Sequence, residues 1–399
     1  MRMVFMLILV VFGGARFIES PTTTAPAGPP IEIRLDGGHD EARELRIREI
    51  EADFPKMRRH RTSRFEILSD LGDDVVASHG QLLERTVHAV HDFCEALGYQ
   101  DIDDLKRMSN DRHFVIAFGN REDFVRFAGT YDKVNALWLG GYFSPGSGHL
   151  VYHSAADHPN VRRVTSEIGE ADELSGALDP HHELRGEIDR FVVRADASVV
   201  VHEATHMLLH QIDVAPATSM QPMWLLEGLA GSFEPVEATR RFGPLRRENG
   251  RTRDFRKLLE DDEVPSLVEL VSVAEFPKEP RTINRHYAAS AALCSWLARH
   301  RPKDFRRYID VAGADEFLVS GANSVGSVAD APQIAGMPAP RVIEAGSTPG
   351  SSAESKRRRL ASFERIFGDL EEFERAWLRS ERVAASMPIA DAELVESWD

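Results

Sequence analysis

Apolar residues in the first half of the chain follow two spacings, one typical of strands and one typical of helices. Strand-like runs occur at residues 65–68, 113–118, 136–143 and 149–153, and helix-like spacing occurs at residues 73–97 and 121–127. The last two strand-like runs flank a Ser-Pro-Gly-Ser-Gly turn, which is typical of a hairpin. This order of strands and helices predicts a small mixed β-sheet with helices packed on it.

The second half of the chain has mostly helical spacing. Apolar residues recur every three or four positions from Ala195 to about Val311. A closing amphipathic helix is predicted at residues 358–385. We therefore expect an α+β protein, with an N-terminal α/β subdomain at residues 61–155 and a helical subdomain at residues 193–318.

Four further stretches lie outside these two subdomains. Arg2 precedes an uncharged apolar run at residues 3–12, and small residues follow, which is the order of a signal peptide at residues 1–20. The run is too short for a membrane span of about 20 residues. Residues 21–60 are interpreted as a linker with a solvated charged helix. Residues 156–192 are interpreted as an acidic insertion, and residues 319–357 as a flexible loop.

This N-terminal pattern predicts an exported protein, either periplasmic, secreted or at the cell surface, with no stable membrane span. A buried N-terminal helix is the alternative. The net charge of −16 argues against nucleic acid as a partner, because a nucleic-acid surface requires basic residues. The chain has two cysteines, Cys94 and Cys294, which could be separate buried thiols or one disulfide.

Residues 199–210 carry the most specific chemical pattern. His202 and His206 are four residues apart in an apolar run, which is one helical turn and about 6 Å along the axis. Their imidazoles can therefore bind one ion from the same helix face, an arrangement that suits zinc. Glu203 would lie beside the metal and could accept a proton from water. Two core histidines without a metal are the simpler alternative.

A catalytic zinc ion needs a third protein ligand and one open position. Glu227 is the candidate, because it is the only charged residue at positions 222–233, which have helical spacing. A carboxylate among large apolar side chains would be poorly solvated without a cation. A glutamate on an exposed helix face is the alternative. The predicted cofactor is thus Zn²⁺, with His202, His206 and Glu227 as its ligands.

These two motifs together resemble those of gluzincin metallopeptidases. The His-Glu-Ala-Thr-His motif at residues 202–206, followed by Trp-Leu-Leu-Glu-Gly-Leu-Ala at residues 224–230, is most similar to the peptidase MA-like domains. Some of those domains are known only as domains of unknown function. The resemblance extends from about residue 65 to residue 377, apart from the insertions. It implies a zincin-like fold, in which the small sheet subdomain packs on the helical subdomain with the active-site helix between them.

The resemblance also implies roles for individual residues. His202, His206 and Glu227 would bind the metal, and Glu203 would be the general base. Tyr287 would donate to the oxyanion of the tetrahedral intermediate, although plain packing is the alternative for a tyrosine at the start of an apolar helix. The edge strand along which a peptide lies would contain Gly141, Tyr142 and Phe143.

Two features depart from the gluzincin pattern. Ala230 stands where some gluzincins carry an aspartate that orients a histidine. The Gly-x-Met-Glu-Asn element with which gluzincin aminopeptidases hold a substrate amine is absent. The second departure favours an endopeptidase or an enzyme for another amide substrate.

The sequence therefore predicts an exported zinc metallopeptidase that hydrolyses a peptide or protein substrate, with Glu203 as general base. The first alternative is a non-catalytic zincin-fold protein that binds peptide or cell-envelope material. The second is a partner-binding protein with a structural metal. Structural zinc sites are usually closed and rich in cysteine, and no cysteine lies near the two histidines in the sequence.

Overall fold

The structure is a computed structural model, and it describes residues 39–99, 112–175, 181–214, 222–273, 279–313 and 353–386. The predicted signal peptide, residues 21–38 of the predicted linker and residues 319–352 of the predicted loop lie outside these ranges. Within the described ranges, no helix combines the length and the apolar content that crossing a bilayer requires.

The described residues form a mixed α+β structure that is mostly helical. The strands are β1 (Arg58–Arg61), β2 (Phe65–Ser69), β3 (His113–Phe118), β4 (Gly141–Ser144) and β5 (His149–His153). The first helices are α1 (His39–Asp53), α2 (Asp73–Ala96), α3 (Arg121–Phe127), α4 (Pro159–Ser175), α5 (His182–Gln211) and α6 (Met223–Phe233). The others are α7 (Thr252–Glu260), α8 (Leu267–Ser272), α9 (Pro280–His300), α10 (Pro302–Gly313), α11 (Ala353–Phe367) and α12 (Leu370–Ser386).

The strands form one five-stranded mixed sheet in the order β1-β2-β3-β5-β4. The central strands β2, β3 and β5 are parallel to one another. Strand β1 pairs antiparallel with β2, and strand β4 pairs antiparallel with β5. Every residue of β3 is buried, which is typical of a central strand covered on both faces. The predicted small mixed sheet is confirmed. The strand β1 was not predicted, because its Arg-Arg-His-Arg sequence has no apolar residue.

The chain divides into two compact units. The first comprises Met1–Arg85, Arg107–Glu203 and Lys278–Pro280, and it contains the whole sheet. The second comprises Thr86–Lys106, Ala204–Pro277 and Arg281–Asp399, and its described part consists of helices and the loops that connect them. Helices α2 and α5 each contribute residues to both units. The division in α5 therefore falls after Glu203, about ten residues later than the predicted subdomain start at residue 193.

The charged helix predicted within residues 21–60 is present as α1, but it is not simply solvated, because two of its residues belong to the core of the first unit. Ile47 and Ile50 are at most 1% exposed, and they pack in one apolar cluster with Phe54 and Phe118. The rings of Phe54 and Phe118 meet edge to face at a centroid distance of 5.3 Å. Ile47, Ile50 and Phe54 follow helical spacing, but the many charged residues around them obscure this narrow buried stripe in the sequence.

The predicted acidic insertion at residues 156–192 is also mostly helical. Helix α4 buries Val161 and Ile168, which lie seven residues apart and therefore on one face. Helix α5 begins at His182 rather than near Ala195. The charged residues of α4 between the two buried positions are exposed. Their number obscured the apolar spacing.

The C-terminal segment forms two helices where the pattern predicted one closing helix at residues 358–385. Gly368 has a φ of +93°, a left-handed conformation that ends α11 without steric strain. The rings of Phe363, Phe367 and Phe373 lie with centroids 4.5 to 5.5 Å apart. Tyr308 joins this cluster at 5.4 Å from Phe367. The three phenylalanines are thus buried, but they belong to two shorter helices.

Cys94 on α2 and Cys294 on α9 are both buried free thiols. The structure therefore has the separate thiols and not the disulfide. Burial raises the pKa of the Cys94 thiol to about 12, so this side chain remains protonated and a poor nucleophile at neutral pH.

Candidate metal centre

The two histidines of the predicted motif lie on α5, in a part of the helix that is buried. Val200 and Val201 precede the motif, Met207 and Leu208 follow it, and all four are at most 1% exposed. The side chain of His202 is buried as well. This confirms that the motif is helical and that its polar side chains lie in largely apolar surroundings, where they need partners.

Glu227 lies on α6, which is uncharged apart from this residue. Trp224, Leu225 and Leu229 of the same helix are fully buried, so α6 packs through its apolar side chains. The Glu227 side chain is 19% exposed. The alternative of a glutamate on an exposed helix face is therefore excluded.

The structure brings His202, His206 and Glu227 together. Each offers one ligand atom, and these three atoms lie within 4.8 Å of one another. The Nε2 atom of His206 is 3.8 Å from Oε1 of Glu227. In tetrahedral zinc coordination with bonds of 2.0–2.1 Å, neighbouring ligand atoms are about 3.3 Å apart. The three side chains thus fit one zinc ion after small movements, and both the spacing and the donor types, two imidazoles and a carboxylate, match.

A second group with metal-ligand chemistry occurs on α2. His91, Asp92 and Glu95 also offer ligand atoms within 4.8 Å of one another, but all three are exposed. Exposed acidic side chains often cluster in this way without an ion. The first group differs because its ligands are buried or half-buried and come from two helices.

Glu203 lies on α5 directly after His202 and is partly buried. It is not a member of the group of three ligands. Successive residues of a helix point about 100° apart, so its carboxylate leaves α5 beside the imidazole of His202 and not along the same direction. This geometry suits a base that acts next to a metal.

A close helix contact fixes the position of α6 beside α9. A Cβ atom on Gly228 would lie 2.7 Å from the backbone oxygen of Ser290 and 2.8 Å from Sγ of Cys294. Only glycine allows this approach, since real Cβ atoms are not found so near a backbone oxygen. Gly228 is the next residue after Glu227. The contact therefore sets where the Glu227 carboxylate stands relative to α9.

Tyr287 is half-buried on α9, three residues before Ser290 and hence on the same helix face. The guanidinium carbon of Arg251 lies 5.3 Å from the centre of the Tyr287 ring. Arg251 also donates to Oε1 of Glu234 at 2.7 Å. Tyr287 thus lies on the α9 face that contacts α6, one turn from the Gly228 contact, and its ring packs against a cation.

The predicted substrate strand, Gly141 to Phe143, forms β4, the last strand on its side of the sheet in the described chain. A Cβ atom on Gly141 would lie 2.9 Å from Cγ1 of Val199, so β4 packs closely on α5. Tyr142 is 8% exposed and donates through its hydroxyl to Asp132 at 2.8 Å. The side chain of Tyr142 is therefore part of the protein interior, whereas Phe143 and Ser144 of the same strand are half-buried.

A buried polar network on α5 was not predicted. Asp196 is 4% exposed and accepts hydrogen bonds from Ser154 Oγ at 2.8 Å and from the Ala155 backbone N–H at 2.6 Å. His79 Nε2 is 3.8 Å from the Asp196 carboxylate, and His79 Nδ1 is 2.9 Å from the hydroxyl of Tyr152. The network ties α5 to the end of β5 and to α2, six residues before His202.

Burial governs the protonation of this network. It raises the pKa of Asp196 to about 6 and lowers the pKa of His79 to about 4. A signal was present in the sequence, because Asp196 is a single acid close to the apolar run that contains the motif. Gly228, a glycine inside an apolar helix, was a similar signal for close packing.

A known protein family is similar to the segment that holds the candidate metal ligands. No curated protein matches the chain. Residues 196–316 match a protein family described as "Protein of unknown function (DUF1570)". This stretch contains His202, Glu203, His206, Glu227 and Tyr287. The chain is therefore similar to that family over the segment that holds the candidate metal ligands.

Proposed function

We propose that this protein is an exported, zinc-dependent metallopeptidase with a zincin-like fold. The observation that carries the proposal is the convergence of His202, His206 and Glu227, whose ligand atoms lie within 4.8 Å of one another. Three protein ligands of this kind leave one position open in a tetrahedral site, which is the arrangement of catalytic zinc. The charge and apolar order of residues 1–20, which is that of a signal peptide, supports export.

The donor set favours a catalytic site over a structural one. Structural zinc sites usually have four ligands and are rich in cysteine. Here the described residues supply three ligands, and both cysteines are buried as free thiols on α2 and α9. A structural site would also have no use for Glu203, an acid placed beside the ligands but outside their group.

The chain's own residues would act as follows. His202, His206 and Glu227 would hold the ion, which when bound supplies Lewis acidity and lowers the pKa of the attacking water. The Glu203 carboxylate would accept a proton from that water and pass it to the nitrogen of the leaving amine. General acid–base catalysis of this type contributes roughly 10²–10⁴-fold to the rate.

The other predicted residues would position the substrate and stabilise the negative charge that develops on its carbonyl oxygen. The backbone of β4 would pair with an extended peptide, since strand addition to a sheet edge supplies main-chain hydrogen bonds. The Tyr287 hydroxyl would donate to the developing oxyanion. Arg251 would hold the Tyr287 ring in place, because its guanidinium packs on that ring and is itself fixed by Glu234.

Hydrolysis of an unbiased peptide mixture, with and without a chelator, tests this function. The zinc-loaded protein is expected to cleave peptides, and the chelator to abolish cleavage. Glu203→Gln is expected to keep one zinc per chain and to lose cleavage, whereas His202→Ala is expected to lose both.

Two results would reject the proposal. Cleavage by Glu203→Gln at the wild-type rate would remove Glu203 as the base. Zinc binding together with peptide binding, but no cleavage by the wild-type protein, would favour the non-catalytic peptide- or envelope-binding alternative.

A further inference from the structure

A turn with exposed apolar side chains precedes β4. The backbone N–H of Leu139 donates to the Ala136 oxygen at 3.2 Å, which closes a turn with Leu137 and Trp138 at its two central positions. Leu137, Trp138 and Leu139 are 46%, 57% and 38% exposed. Central turn positions usually hold glycine, proline, asparagine or aspartate. The conformation of the turn therefore does not explain why two large apolar residues stand there.

The backbone of this turn is held firmly. The Arg121 side chain donates to the Leu137 oxygen, and the His153 N–H donates to the Gly140 oxygen at 3.0 Å. Ala136 at the start of the turn is buried. The apolar side chains are thus presented on an ordered segment, so a ligand would not have to order a flexible loop on binding.

The turn lies next to the metal-binding helix. A Cβ atom on Gly140, the residue after Leu139, would lie 3.1 Å from Cγ2 of Val199. Val199 precedes His202 by three residues on α5, which places it on the same face and about 4.5 Å along the axis. The exposed turn therefore lies beside the segment of α5 that carries His202.

We infer that Leu137, Trp138 and Leu139 form the surface that selects apolar side chains of an extended peptide substrate. This inference rests on the proposed peptidase function. A peptide that pairs with β4 continues past Gly141 and over the turn, because the turn directly precedes the strand. In strand addition the main chain supplies affinity, and contacts with alternate side chains supply specificity.

Exposed apolar side chains of this kind could instead bind a lipid surface. The net charge of −16 opposes it, because anionic headgroups repel a strongly acidic protein. The turn also directly precedes the edge strand β4. A peptide could pair with that strand, whereas a bilayer could not. The peptide is therefore the occupant that the surroundings of the turn favour.

The test compares two peptide pools that are identical except for fixed leucine or fixed serine positions. For the wild-type protein, kcat/KM is expected to be higher for the leucine pool. Trp138→Ser is expected to lower the leucine-over-serine ratio of kcat/KM about tenfold. Leu45→Ser, a control at a 60% exposed leucine on α1, is expected to leave that ratio unchanged. Binding of both pools to the Glu203→Gln protein, measured by fluorescence anisotropy, is expected to show the same Trp138-dependent preference.

The outcomes separate this inference from the proposed function. An unchanged leucine-over-serine ratio in Trp138→Ser overturns the inference and leaves the peptidase function standing. No cleavage of either pool by the wild-type protein, with Trp138-dependent binding of the leucine pool, overturns the peptidase function and supports the apolar surface. Trp138-dependent sedimentation with phosphatidylcholine–phosphatidylglycerol vesicles, with no preference between the pools, overturns the inference in favour of lipid.

Discussion

Glu227 is the residue whose charge most directly tests the metal site. Its Oε1 is 3.8 Å from His206 Nε2, on a helix with no other charge. Glu227→Gln keeps the shape of the side chain and removes the charge that attracts a cation. We expect zinc affinity to fall by more than about 100-fold, which exceeds the usual effect of residues that only support a ligand. Competition with a chromophoric chelator measures this affinity.

Glu237→Gln is the matched control for this change. Glu237 is an exposed carboxylate ten residues later in the chain. Zinc affinity of the Glu237→Gln protein should equal that of the wild type. An equal loss in both variants would show that net charge, and not coordination by Glu227, governs zinc affinity.

The buried pair of Asp196 and His79 makes a prediction about pH. The pKa of Asp196 is raised to about 6, so the native state keeps this proton longer than the unfolded state. Its contribution to the free energy of unfolding is therefore present below about pH 4 and is lost as the pH rises to about 6. The pKa of His79 is lowered to about 4, so its contribution has the opposite sign and appears as the pH rises from about 4 to 6.5.

These opposite slopes nearly cancel in the wild-type protein. Asp196→Asn removes one of them, so relative to wild type the free energy of unfolding should rise by roughly 2 kcal/mol between pH 4.5 and pH 6.5. Urea denaturation at several pH values measures the difference, and groups common to both proteins drop out of it. A difference that stays constant with pH would contradict the protonation states assigned to this pair.

At the scale of helices, the contact of α6 with α9 makes a prediction about packing. A Cβ atom on Gly228 meets backbone that cannot move aside, at 2.7 Å. Gly228→Ala should therefore lower the free energy of unfolding by about 1–3 kcal/mol. It should also weaken zinc binding, since α6 carries Glu227. Urea denaturation and zinc titration measure the two effects.

Gly231→Ala is the control on the same helix. Its Cβ atom would lie 3.3 Å from the side-chain Cβ of Ala291, a milder contact. Alanine is preferred over glycine in a helix by about 1 kcal/mol, which offsets this crowding. We expect nearly wild-type stability and zinc affinity. Equal losses in both variants would contradict a special role for the Gly228 contact.

The elements that could be predicted from the sequence are those whose apolar residues dominate locally. Strand β3, the β4–β5 hairpin and the helix around His202 follow clear apolar spacing. Helices α1 and α4 bury only a narrow stripe among charged residues, so their average composition suggested solvated segments. Strand β1 forms through pairing with β2, a tertiary effect that its polar sequence does not encode.

Across the whole molecule, the metal site depends both on residues that are neighbours in the sequence and on contacts between residues far apart in the chain. The four-residue step between His202 and His206 is local, and it could be predicted from helix geometry. The proximity of Glu227 could be argued only from its place as the single charged residue of an apolar helical segment and from the resemblance to gluzincin motifs. The contacts that hold α6, such as Gly228 against Ser290, join residues far apart in the chain. No local pattern encodes such contacts, so they could not be predicted.

The most direct test of the central claim is anomalous diffraction at the zinc absorption edge, from crystals of the protein loaded with zinc. We expect one strong peak at about 2.0–2.2 Å from a ring nitrogen of His202, a ring nitrogen of His206 and a carboxylate oxygen of Glu227. No peak at these residues, or a peak only at the exposed group of His91, Asp92 and Glu95, would contradict it.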